Sequence, residues 1–261
     1  MSISRMPALF LGHGSPMNVV EDNPYSRSWQ QLGLTLPRPQ AILAISAHWY
    51  TRGTCVTAMK NPRTIHDFGG FPQDLFDIEY PAPGSPALAA EIVQLLAPTT
   101  VIADESDWGF DHGSWGVVKK MYPAADIPMV QLSIDGTADA ETHFQLGRKL
   151  SALRDRGVMI IASGNVVHNL RMVRWQESAA PYPWAQSFNQ FVRDNINWRG
   201  DGRHPLVDYQ QHEGAALSIP TPEHYLPLLY ILGCRHDEET AAITIDGIEM
   251  ASLSMLSLQV G

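Results

Sequence analysis

Three histidines stand where short apolar runs end. Leu9, Phe10 and Leu11 run into Gly12, His13 and Gly14; AILAISAH, residues 41–48, closes on His48; and VMIIASGNVVH, residues 158–168, passes through Gly164 and Asn165 to His168. An imidazole with its ordinary pKa of about 6.5 exchanges a proton near neutral pH, and in its neutral form it ligates transition metals. One histidine at a strand end is ordinary turn chemistry. Three at equivalent positions make a candidate metal or acid–base site if their runs lie side by side in one sheet.

The elements that would have to hold them are legible in outline. Pro7–Leu11, Ala41–Ser46, Val130–Ser133 and Val158–Ala162 are continuously apolar, as buried parallel strands are. Between them lie helical patterns. Ser85 and Pro86 open one that runs to Leu96; Leu146, Leu150 and Leu153 form a stripe within 140–154 that Gly157 terminates; Trp184, Phe188, Phe191 and Val192 form another. Glu223–Gly233 reads as a further helix, and Ala242–Val260 as two extended segments turning at Asp246-Gly247, a C-terminal hairpin. Strands alternating with helices predict a three-layer α/β/α fold with a mostly parallel central sheet. No repeat, low-complexity tract or charge block divides the chain, so residues 1–261 read as one domain. Such sheets bind ligands outside the carboxyl ends of their strands, where these three histidines would lie.

Two other stretches suit a polar cavity. WGFDHGSWG, residues 108–116, sets Asp111, His112 and Ser114 among tryptophans and glycines, and TPEHYLPL, residues 221–228, places Glu223 and His224 at the start of a helix. The remaining histidines, at 66, 143, 204, 212 and 236, read as surface or loop residues, with the loop around His66 suited to a pocket lid. The net charge of −9 and the lack of any Lys/Arg run argue against nucleic-acid binding, and no apolar segment approaches the ~18 residues of a membrane span. Cys55 and Cys234 sit in apolar stretches without metal-site spacing and read as free thiols, consistent with a reducing, cytoplasmic setting. P-loop, HExxH and GxSxG signatures are absent, and GHGSPM lacks the third glycine of a dinucleotide turn.

Taken together, LGHGSPM, SAHW, HDFGGFP, YPAPG, FDHGSWG, ASGNVVHNL and TPEHYLPLLY resemble the class III extradiol ring-cleaving dioxygenases of the LigB type, in particular their 4,5-DOPA extradiol branch. The resemblance implies a single α/β/α catalytic domain that opens a catechol ring with O₂ at non-haem Fe(II). It implies metal ligation by His13, His48 and His224, acid–base work by His168, and substrate contact by His112, with Ser114 beside it. His168 as a fourth ligand stays open. So does Glu223, because relatives acting on protocatechuate use a glutamate as third ligand.

The expected partners are a small catechol and O₂, with the chain a monomer or small homo-oligomer. Three imidazoles also bind Zn(II) well, so zinc could occupy the same site. A zinc hydrolase using a metal-bound water and a non-catalytic metal-binding protein are therefore the competing readings. Oxygen uptake with a catechol separates them from ring cleavage.

Overall fold

A computed structural model describes residues 5–176 and 179–261. Its core is an eight-stranded sheet: β1 (Ala8–Gly12), β2 (Ala41–Thr51), β3 (Thr54–Thr57), β4 (Val101–Asp104), β5 (Met129–Asp135), β6 (Val158–Gly164), β7 (Ala241–Ile245) and β8 (Ser257–Val260). The spatial order is β4-β3-β5-β2-β6-β1-β8-β7. The central four strands are parallel, with Ala8 opposite Ile160, Leu43 opposite Ile160 on the other side, and Ile42 opposite Met129. The carboxyl ends of β1, β2 and β6 therefore share one rim.

The continuous apolar runs follow from helices covering both faces. Along β1, Ala8 and Phe10 join one core while Leu9 and Leu11 join the other; β6 divides likewise between Ile160 and Ile161. The first core is covered by α2 (Pro86–Leu95), α4 (Ala140–Arg154), α5 (Pro183–Asn195) and α6 (Leu226–Gly233). The second is covered by α1 (Pro24–Thr35) and α3 (His112–Met121), with Trp29 and Trp115 fully buried. No helix among the described residues is long and apolar enough to cross a membrane. Both cysteines are free, as expected.

The structure departs from the sequence reading in four places. The segment from Leu226 to Gly233 is helical as expected, but His224 lies in a separate one-turn 3-10 helix, Pro222–His224, ahead of α6. β7 and β8 do pair antiparallel, yet Asp246-Gly247 does not close them into a simple hairpin. Residues 246–256 instead make an excursion with its own short pair, Ile248–Glu249 against Leu253–Ser254, pinned by Asn165 Nδ2 donating to Ser254 O at 2.7 Å. α1 and α3 lack a dense apolar stripe. They form on their caps: Asn23 with Ser26 in a reciprocal capping box, and Asp111 accepting from Ser114 N. Finally, His143 and His204 are buried, not superficial. His143 lies three residues before Leu146 on the same face of α4, its Nδ1 3.0 Å from Tyr230 Oη; His204 is wedged against Phe144 and Trp198.

Candidate metal centre

His13 follows β1 directly, its N–H donating to Gly164 O at the end of the neighbouring β6. His48 lies within β2, where the pairing with β5 loses register between Ile45 and Tyr50. Such an irregularity re-aims a side chain at a strand end. His168 is held beyond β6 by its N–H to Ser218 O at 2.8 Å and a bridge to Leu253 of the C-terminal excursion. His224 is fixed by its backbone: its carbonyl accepts Asn165 N–H at 2.9 Å, and a Cβ on Gly164 would lie 2.2 Å from that carbonyl oxygen. Only glycine lets β6 and the 3-10 turn approach so closely.

These segments bring five histidines together. The rings of His13, His48 and His224 form a near-regular triangle, with centroid separations of 4.9, 5.3 and 5.3 Å. His112 packs 4.1 Å from His48 and 5.9 Å from His13. His168 stacks on His224 at 3.5 Å with the planes 6° apart.

A residue that the sequence reading passed over organises this cluster. The Asp67 carboxylate, in the loop assigned to a lid, contacts His48 Nδ1 through Oδ2 at 2.7 Å and His112 Nδ1 through Oδ1 at 3.0 Å, and accepts the His112 backbone N–H at 2.8 Å. An ionised carboxylate only accepts, so both rings carry their proton on Nδ1 and present a bare Nε2. Burial alone would raise the Asp67 carboxyl, but the hydrogen bonds from His112 and His48 outweigh it and hold it well below the usual carboxylate range. Glu223 Oε1 plays the same part for His224 Nδ1 at 3.2 Å, and Ser163 Oγ lies 2.8 Å from His13 Nδ1. Orienting contacts of this kind are the usual outer shell of metal-bound histidines.

The protonation states of all five but His48 also suit a cation. Burial, then the neighbouring histidines, hold His13 and His224 well below the ordinary value. His112 is lowered by burial against the pull of Asp67. His48, which burial would lower, is held above its ordinary value by the Asp67 hydrogen bond.

Rings bound through one nitrogen hold their centroids about 3 Å from an ion, so rings on one face of it lie about 5 Å apart. The His13–His48–His224 triangle fits that spacing. By ligand-atom distance, His13, His48 and His112 form one group within 4.8 Å, and His168, Glu223 and His224 another. His13 and His48 are common to the ring triangle and the first of these groups, so His112 and His224 compete for the third place.

The histidines line a cavity of about 620 Å³ whose other wall is apolar: Phe68, Phe71, Leu170, Val173, Trp175 and Leu253. Trp175 is 83% exposed. Ser114 is not on this wall. It is buried, its hydroxyl shared between Asp111 O and Gln131 Oε1, and the Gln131 amide is hydrogen-bonded to the Asp111 carboxylate. His66 also points elsewhere, with Nε2 2.8 Å from Ile78 O, although its neighbours Asp67 and Phe68 face the cavity.

A family model for the catalytic LigB subunit of aromatic ring-opening dioxygenase matches residues 7–254. The chain is 67% identical to the 4,5-DOPA dioxygenase extradiol of Escherichia coli K12 over its whole length and 97% of that relative, and 36% identical to the protein of the same name from Portulaca grandiflora, across 92% and 90% of the two chains. The crystal structure of an uncharacterized E. coli K12 protein superposes with a TM-score of 0.89 at 63% identity, covering 98% of this chain and all of that one. With the match spanning nearly every residue of the sheet and the histidine rim, this chain belongs to the LigB family of aromatic ring-opening dioxygenases.

Proposed function

We propose that the chain is an extradiol dioxygenase that opens a DOPA-like catechol with O₂, using a non-haem Fe(II) held by His13, His48 and His224. The observation that carries this reading is the regular triangle of imidazoles, each with Nδ1 engaged by a carboxylate or a hydroxyl, on the wall of a cavity large enough for a substituted catechol. The names of the relatives support the substrate class. Bound there, the ion would lower the pKa of the catechol hydroxyls and activate O₂.

The chain's own residues supply the rest. Three neutral ligands add no charge to the site, so a doubly deprotonated catechol balances a divalent ion. His168 takes one of the two catechol protons and returns it as the ring opens, the other passing to solvent. Burial pushes its pKa down to about 4, against the pull of Glu223, so it stands unprotonated at neutral pH and ready to accept. Its ring stacks on His224, which keeps it beside the centre. His112, locked by Asp67 with Nε2 free, contacts a ring oxygen. Phe68, Phe71 and Trp175 receive the aromatic ring and keep water off it. Ser114 acts at one remove, bracing the Asp111 cap of α3 that carries His112. Glu223, engaged by Thr221 Oγ1 and His224 Nδ1, orients the third ligand.

The test is anaerobic loading with Fe(II), followed by oxygen-electrode measurement with L-DOPA and simpler catechols. One O₂ consumed per catechol, with a yellow ring-opened semialdehyde, is the expected result. Ester hydrolysis by zinc-loaded protein together with no O₂ uptake after iron loading would overturn the proposal. Zinc bound at the same histidines should block ring cleavage.

A further inference from the structure

A second cavity, of about 540 Å³, shares no lining residue with the first. It lies where the end of α6 meets α4 and the segment 198–204, and four arginines line it: Arg148, Arg199, Arg203 and Arg235. That is a strong local concentration in a chain with 18 basic and 27 acidic residues.

Their partners separate the four. Arg203 is paired, with Glu141 at 3.1 Å and Asp208 at 3.0 Å. The others form no ion pair among the described residues. Arg235 donates to Ile196 O at 2.9 Å, Asn197 Oδ1 at 3.1 Å and Trp198 O at 2.8 Å, and Arg199 donates to the carbonyls of Asp237 and Glu239. Neutral acceptors of this kind orient a guanidinium and leave its charge uncompensated. Burial, then the nearby Arg199, lowers the Arg235 pKa, against the weaker opposing pull of Asp237 and Glu239. The Arg148 side chain has no hydrogen-bond partner among the described residues. Of the two carboxylates on the wall, Glu141 is taken up by Arg203 and Gln145, and Asp237 is exposed.

His204 supplies an independent observation. It is 8% exposed and lines the cavity, and its Nδ1 accepts the Leu206 N–H at 3.2 Å. A neutral imidazole that accepts at Nδ1 carries its hydrogen on Nε2. That Nε2 is buried without a partner. A buried donor lacking an acceptor is costly and calls for one. The wall therefore offers donors and positive charge, and what it lacks is an acceptor.

We infer that this cavity is a binding site for a small polyvalent oxyanion, a phosphate ester or a polycarboxylate, received by Arg148, Arg199 and Arg235 beside the buried His204. The half-buried Trp198 adds a flat apolar face for the rest of the ligand. Guanidinium forks match the paired oxygens of either group.

Isothermal titration of full-length, metal-loaded protein at low ionic strength tests this, with pyrophosphate and citrate as probes. Saturable one-to-one binding of at least one probe is expected. Preference for pyrophosphate assigns the phosphate class, and preference for citrate the polycarboxylate class. Arg148→Ala, which removes no hydrogen bond or ion pair among the described residues, should weaken binding roughly ten- to a hundredfold, the effect of one charged hydrogen bond. Arg148→Glu should abolish it. Both probes also chelate metals, so His13→Ala serves as the control and should bind them unchanged. Absence of saturable binding at millimolar probe, undiminished affinity in Arg148→Ala, or loss of binding in His13→Ala would each overturn the proposal.

Discussion

Two sets of histidines lie wholly or partly buried in this protein, and they differ in kind. His13, His48, His112, His168 and His224 converge on a cavity, and four of them have Nδ1 engaged by a carboxylate or a hydroxyl. His143 and His204 are just as inaccessible, and both have their pKa pushed down to about 4 by burial, as His168 has. Yet His143 meets only the Tyr230 hydroxyl, and both leave Nε2 without a partner. Burial and a lowered pKa therefore do not mark the catalytic site. What sets the candidate site apart is the convergence of several rings, four of them with Nδ1 engaged by an outer partner.

The sharpest way to break this comparison is to remove one histidine from each set. His13→Ala, His48→Ala and His224→Ala should each lose stoichiometric metal by elemental analysis and, with it, ring cleavage. His143→Leu should keep both, although it loses its bond to Tyr230. His112→Ala decides the competition for third ligand: retained metal with weakened catechol binding supports His224, whereas loss of metal from His112→Ala and not from His224→Ala reverses the assignment.

Within the rim set, roles should separate by kinetics. His168→Ala should load metal and bind catechol while kcat falls by ~10² to 10⁴, the usual cost of losing a general acid–base group. Parallel loss of metal would make His168 a ligand instead. Asp67→Asn keeps the size of the side chain but cannot accept from both Nδ1–H groups as an anion. Removing such an outer partner typically lowers metal affinity ~10- to 100-fold, measurable by competition with a chelator. An unchanged affinity would show that the tautomers are set without it.

The sequence revealed this contrast only in part. The rim histidines were legible because strand ends are punctuated: apolar runs stop at glycine, and the parallel-sheet rule says where that stop lies. The four central strands and the helices with dense stripes were legible for the same reason. Asp67 was hidden because it belongs to a loop, and nothing in the spacing of HDFGGFP says that its carboxylate reaches back 19 residues to His48 and forward 45 to His112. His143 was misjudged because one polar residue on a leucine stripe reads as its edge, when Tyr230 from α6 covers it. α3 escaped notice because its glycines serve packing rather than termination: a Cβ at Gly113 would lie 2.5 Å from Ser46 Oγ.

The smallest effect tests the core set alone. His143 and His204 titrate near 4 in the folded protein and near their ordinary value of about 6.5 when unfolded. Between those values the unfolded chain binds more protons, so stability rises with pH across that window and is lost as pH falls from about 6.5 towards 4. Each histidine contributes a slope of at most about 1.4 kcal/mol per pH unit, and above pH 7 neither contributes any. Burial lowers His13, His112, His168 and His224 as well, so the wild-type curve alone cannot assign the slope. The difference between wild type and His143→Leu can. Urea unfolding of both at several pH values should show the acid-side slope reduced by about 1 kcal/mol per pH unit in the variant, whatever its stability at pH 7. Parallel curves would mean that His143 is protonated equally in both states, and its burial would then set it apart from the rim in position only.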